Sequence, residues 1–231
     1  LAQLYQAPPA PELLANLRVA ATEAPVAGAF LEEPFRQLVG AARACSDAAV
    51  ADEFEALFGG VGKPEVWAYG SHYLSGFLND KPLVRLRSDL AALGLGRDES
   101  RAETEDHIAY LCEVMRYLIA GDDVAVANLT QQQRFFAAHL QPWVERLCEA
   151  IAAQPRAEFY RAVALFTPAF MTVEAQGFDL VELRPALRHF CRALHQSHSG
   201  LQRRPCLRGQ LQKGKDQSRP KWHETRGFTS G

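Results

Sequence analysis

Apolar side chains recur three and four residues apart along almost the whole chain, while clean two-residue alternation with β-branched residues is nearly absent. Such a pattern buries stripes on helices, not faces of a sheet. Ala, Leu, Glu, Arg and Gln, all good helix formers, dominate. The expectation is an all-α fold, a single helical domain of about ten helices. At 231 residues the chain is long enough to bury roughly 70% of its unfolded surface without a metal or disulfide. No run of about 18 apolar residues predicts a membrane span. The opening Leu1-Ala2-Gln3-Leu4-Tyr5 lacks the basic start of a secretory signal.

Punctuation along the chain places the helices. A first is predicted over 12–22. A second starts at Glu33, with Pro34 in its first turn and Phe35, Leu38, Val39 and Ala42 on one face. A third begins at Asp47 as N-cap and carries Val50, Phe54, Leu57 and Phe58. The Gly-rich stretch 59–64 then breaks the chain. Residues 67–78 read as a loop running into a short helix. The helix at 81–93 sets Leu83, Leu86, Leu90 and Leu93 in register. The most regular element, 105–119, has two candidate starts: a capping box at Ser100-Arg101-Ala102-Glu103, or Thr104 as a later cap. A second box, Thr130-Gln131-Gln132-Gln133, opens a helix that Pro142 interrupts, with Trp143, Leu147 and Ile151 continuing beyond. A long helix from Arg156, kinked at Pro168, and a last one over 182–195 complete the set.

Charge is unevenly placed. Eight basic residues from Arg203 to Arg226 face only Asp216 and Glu224, so 197–231 carries +6, against −2 for the whole chain. The helical part, 1–196, is therefore at −8, with 197–231 a basic, disordered tail. An acidic body is a poor match for nucleic acid and a better one for a cationic partner. The cysteines, Cys45, Cys112, Cys148, Cys191 and Cys206, are odd in number and widely spaced, which fits free thiols in a reducing compartment.

Motifs of catalysis are missing: no CxxC, HExxH, GxSxG, phosphate loop or GxGxxG after a strand occurs. His189, Cys191 and His195 do not share one helix face. Gly59-Gly60-Val61-Gly62-Lys63 resembles a phosphate loop only superficially, since it follows a helix and lacks the Lys-Ser/Thr ending; a nucleotide-binding or hydrolysing protein rests on it alone. Two segments stand out. Trp67-Ala68-Tyr69-Gly70-Ser71-His72-Tyr73 sets large aromatics beside glycine and serine, either as a contact surface or as a cap on the core. Glu103-Thr104-Glu105-Asp106-His107 packs three carboxylates and a histidine into five residues, either as helix capping or as an anionic cup for guanidinium groups.

These two segments, with Glu53-Phe54-Glu55-Ala56-Leu57-Phe58, Gly62-Lys63-Pro64, Phe159-Tyr160 and the stretch around Pro142-Trp143, carry a resemblance to the TorD/DmsD/NarJ family of redox-enzyme maturation chaperones. The resemblance covers roughly 33–190, and the acidic segment is similar to that family's E-P-x-D-H signature, with Thr104 where the signature has proline. That departure is expected to loosen the turn before the helix. The resemblance implies a TorD-like, cytoplasmic, cofactor-free chaperone without catalytic or metal-binding residues. It implies a molybdenum-containing catalytic subunit as partner, held through its twin-arginine signal peptide until maturation is complete. Glu103, Glu105 and Asp106 would then receive the guanidinium groups, and Trp67, Tyr69 and Tyr73 would cover the apolar stretch. Ser71 would offer a hydroxyl, and His107 would order Asp106 or titrate near neutral pH. A helical scaffold subunit without a peptide site is the remaining alternative. The stretch 94–103 is a candidate hinge for a homodimer formed by exchange of halves.

Overall fold

The computed structural model describes residues 1–22, 30–59, 63–97 and 102–197, with side chains as far as Phe178. Residues 60–62 of the Gly-rich loop, 98–101 of the candidate hinge, the side chains of His189, Cys191 and His195, and the basic tail lie outside the described residues. Contacts divide the chain into two units, Leu1–Leu187 and Arg188–Gly231; the core and the site belong to the first.

The fold is all-α. Among the described residues ten helices occur: α1 (Ala2–Gln6), α2 (Pro11–Val19), α3 (Glu32–Ala44), α4 (Asp47–Phe58), α5 (Gly70–Ser75), α6 (Lys81–Ala92), α7 (Ile108–Ala120), α8 (Leu129–His139), α9 (Val144–Ala152) and α10 (Phe159–Ser197). The only extended pairing among them is a single antiparallel bridge between Tyr69 and His107. α1 packs on α7, α2 on α3, α7 on α8, and α5 on both α6 and α9. Leu38, Val39, Val50, Leu57, Ile108, Leu118, Leu147 and Ile151 are fully buried, so the predicted stripes do face one core. Gly94, at φ +72, ends α6, and the N–H of Leu95 returns to the carbonyl of Leu90, as a left-handed cap requires.

Several boundaries differ from the expectations, each for a local reason. Ser46, not Asp47, caps α4, its hydroxyl accepting from Ala49 N–H at 3.2 Å. Asn128 caps α8 in place of the Thr130 box, its amide oxygen taking Gln131 N–H at 3.1 Å. The two last predicted helices are one, α10, which continues through Pro168; the Thr167 hydroxyl donates to the Val163 carbonyl one turn back. The short α1 has no periodic signal to betray it. It is pinned by Tyr5, 1% exposed, whose hydroxyl meets that of Thr167 at 3.0 Å, and by Tyr160, whose hydroxyl donates to Leu4 O at 2.7 Å.

α10 starts on a carboxylate from another helix. Glu53, buried within α4, accepts from Glu158 N–H (2.9 Å) and Tyr160 N–H (2.7 Å) through Oε1 and from Phe159 N–H (3.0 Å) through Oε2. Three donors that α10 cannot pair internally are thus satisfied, and the charge sits at the positive end of the helix dipole. Burial pushes the thiols of Cys112 and Cys148 up to about 12, so both are neutral, unreactive packing groups.

Candidate functional site

The aromatic and acidic segments, 35 residues apart in the chain, meet as neighbours. Ile108 N–H donates to Ala68 O and Gly70 N–H to Asp106 O, both at 2.9 Å, forming the Tyr69–His107 bridge. The Asp106 carboxylate completes the junction: Oδ2 accepts from Ser71 N–H at 2.8 Å and Oδ1 from the Thr104 hydroxyl at 2.6 Å. Ser71 lies in the first turn of α5, so Asp106 caps that helix from outside it. Because the acidic residues form this turn, α7 begins at Ile108 and not at 105; its N-cap is His107, whose Nδ1 accepts from Ala109 N–H at 3.2 Å. Thr104 is tied into the turn on both sides. Its hydroxyl holds Asp106 and its carbonyl receives His107 N–H at 3.1 Å.

The eight expected residues fall into two layers. Asp106 (3% exposed), Ser71 (1%) and His107 (8%) are buried. Asp106 therefore holds the junction together in this structure and presents no free oxygen. The Ser71 hydroxyl has no hydrogen-bond partner among the described residues. His107 makes its cap to Ala109 and no bond to Asp106. Burial drives its pKa from 6.5 down to about 4, against the opposing pull of Glu103 and Asp106; titration near neutral pH is thus corrected by desolvation.

Trp67, Tyr69, Tyr73, Glu103 and Glu105 form the outer layer, each partly exposed. Their rings interlock: Trp67 against Tyr69 (6.4 Å) and His72 (6.0 Å), and Tyr69 edge-on to His107 at 5.0 Å. Burial, with Glu103 and Asp106 nearby, raises the Tyr69 hydroxyl above its ordinary range, so it stays a neutral donor. Glu103 accepts from Tyr110 Oη at 3.0 Å. Glu105 is gripped by Arg87 of α6, Nε to Oε1 at 2.9 Å and the second nitrogen to Oε2 at 3.0 Å.

Sequence reasoning about the site missed four things. Trp143 is its floor: 1% exposed, it donates Nε1–H to His139 O at 2.6 Å and stacks on Tyr73 at 5.6 Å and 15°. Gly70 is where the backbone passes this ring; a Cβ there would lie 3.1 Å from the indole. Arg87, the internal partner of Glu105, was missed because ion pairs between elements leave no spacing signal. Leu74 (40% exposed), Phe77 (73%) and Leu78 (38%) follow directly, around the left-handed Gly76, and extend the apolar surface beyond Tyr73. An exposed Phe just past a glycine turn was the available signal. Two concavities elsewhere among the described residues, of about 50 Å³ around His139 and Asp89 and about 430 Å³ around Gln3 and Asn16, touch none of these residues. His139, 7% exposed, is held there by Asp89 at 2.8 Å.

The pKa of His107 gives a stability prediction. Its folded value lies below the unfolded one, so its contribution is present above pH 6.5 and is lost as pH falls toward 4. Between pH 7 and pH 5 the loss is expected to be about 2 kcal/mol. Urea unfolding of the chain and of His107→Asn, which keeps a capping side chain, checks this; the variant's pH dependence should be shallower by that amount.

No described helix is long and apolar enough to cross a membrane, and no group of three or more metal-ligating side chains occurs among the described residues. A search of curated proteins finds no match. The family model described as nitrate reductase delta subunit matches residues 27–149, more than half of the chain, including α3–α8, most of α9 and both segments of the junction. Together with the all-helical fold, this match means that the chain belongs to the nitrate reductase delta subunit family, whose members are chaperones of molybdoenzyme maturation that act with the catalytic subunit and are not themselves enzymes.

Proposed function

We propose that this chain binds the twin-arginine leader of a molybdenum-containing catalytic subunit of nitrate-reductase type in the cytoplasm, and keeps that subunit from export until it is complete. The observation that carries the reading is the Tyr69–His107 bridge, which joins the aromatic segment to the acidic one and so brings Tyr69 and Tyr73 into one site with Glu103 and Glu105. Such a leader is cationic at its start and apolar beyond. Glu103 and Glu105 at the rim offer bidentate acceptors for guanidinium. Trp67, Tyr69 and Tyr73, continued by Leu74 and Phe77, offer rings and aliphatic surface for the apolar stretch. Asp106, Ser71 and His107 act from below by fixing the two segments to each other. The −8 charge of 1–196 draws a cationic peptide toward the chain and is screened by salt.

Isothermal calorimetry with a synthetic twin-arginine leader tests the proposal. Binding is expected, weakening with added salt. Glu105→Gln and Tyr69→Ala should each cost about tenfold in affinity, the value of one charge-assisted bond or one buried ring face. Absence of heat with every molybdoenzyme leader tried would overturn it.

A further inference from the structure

We infer that Arg87 is a built-in stand-in for a ligand guanidinium, occupying the Glu105 carboxylate in the free protein and giving it up when a client arginine arrives. This rests on the peptide-binding reading above. The geometry is that of a bound ligand: two N–H···O contacts at 2.9 and 3.0 Å, fork to fork, reaching from α6 to the acidic turn. The burial of the pair is lopsided. The Glu105 side chain is 12% exposed and the Arg87 side chain 48%, so the carboxylate depends on a cation while the arginine can return to water. Exchange of one guanidinium for another keeps Glu105 paired throughout, avoiding the cost of a largely buried carboxylate left alone. In the same junction the Ser71 hydroxyl is buried at 1% exposure without a hydrogen-bond partner among the described residues, and its N–H is held by the Asp106 carboxylate. Arg87 also sets specificity, since a lysine cannot reproduce the bidentate contact it must displace.

The sign of a mutational effect separates this from a structural role. If Arg87 merely held Glu105 in place, removing it would weaken leader binding; as a competitor, its removal strengthens binding. Calorimetry with one synthetic twin-arginine leader is run on the full chain and on Arg87→Ala, Arg87→Lys and Arg85→Ala. Arg85 is the exposed cation two residues earlier on α6 and controls for net charge. The expected result is that Arg87→Ala binds about fivefold tighter, in line with release of one partly exposed ion pair. Arg87→Lys should fall between, and Arg85→Ala within twofold of the wild type. Equal or weaker binding by Arg87→Ala, or an equal gain in Arg85→Ala, overturns the inference while leaving the peptide-binding reading intact. Binding by none of the four chains overturns that reading and this inference with it.

Discussion

Replacing Glu53 by alanine is expected to lower the unfolding free energy by about 3 kcal/mol, and Tm by roughly 10 °C. The size follows from what the carboxylate does. It accepts the N–H groups of Glu158, Phe159 and Tyr160 at 2.7–3.0 Å, where α10 begins against the core. Phe159 and Tyr160 are fully buried, so water cannot replace the lost acceptor. Orphaned donors at a buried helix start cost more than an exposed N-cap does. Glu53→Gln keeps one acceptor oxygen and loses the charge, so it should fall about midway. Urea unfolding of the three chains measures this; a loss below about 1 kcal/mol for the alanine variant would show that α10 starts without Glu53.

Asp106→Ala is expected to cost a similar amount, about 3 kcal/mol, and to do so locally. Asp106 is 3% exposed and holds Ser71 N–H and the Thr104 hydroxyl with its two oxygens. Removing it uncaps α5 and frees the acidic turn together. The amides of Gly70 and Ser71 should then exchange faster by roughly two orders of magnitude while those of α3 and α4 do not change. Leader affinity should fall more than tenfold although the residue does not reach the surface, because both halves of the site lose their common anchor. Thr104→Val tests the lesser bond of the pair and should cost about 1 kcal/mol. Uniform acceleration of exchange across all helices would contradict the local role.

How far the sequence carried the account depended on where each answer is encoded. Helices were legible because burial imposes a 3.6-residue period on Leu83, Leu86 and Leu90 as on Leu111, Met115 and Leu118. Helix starts were less legible. Ser46 and Asp47 are both good caps, and only backbone geometry chooses between them. α1 escaped detection since five residues hold too little period, and its stability comes from Tyr5 and Tyr160 in the core. At the site, the two segments were identified through their composition and family resemblance, but their layering was not. Asp106 lies inward and Glu105 at the rim because Ser71, Thr104 and Arg87 compete for them. The sequence allows His107 either to order Asp106 or to titrate near neutral pH; the fold turns its ring to the Ala109 N–H, and burial holds its pKa down at about 4.

The central claim is that a cationic, apolar leader lies across the junction of the two segments. Hydrogen-exchange mass spectrometry of the full chain, with and without a twin-arginine leader, addresses it most directly. The account expects added protection in peptides covering Trp67–Leu78 and Glu103–Tyr110, with α3 and α9 unchanged. Protection confined to other helices, with both junction segments unaltered at saturating leader, would contradict it.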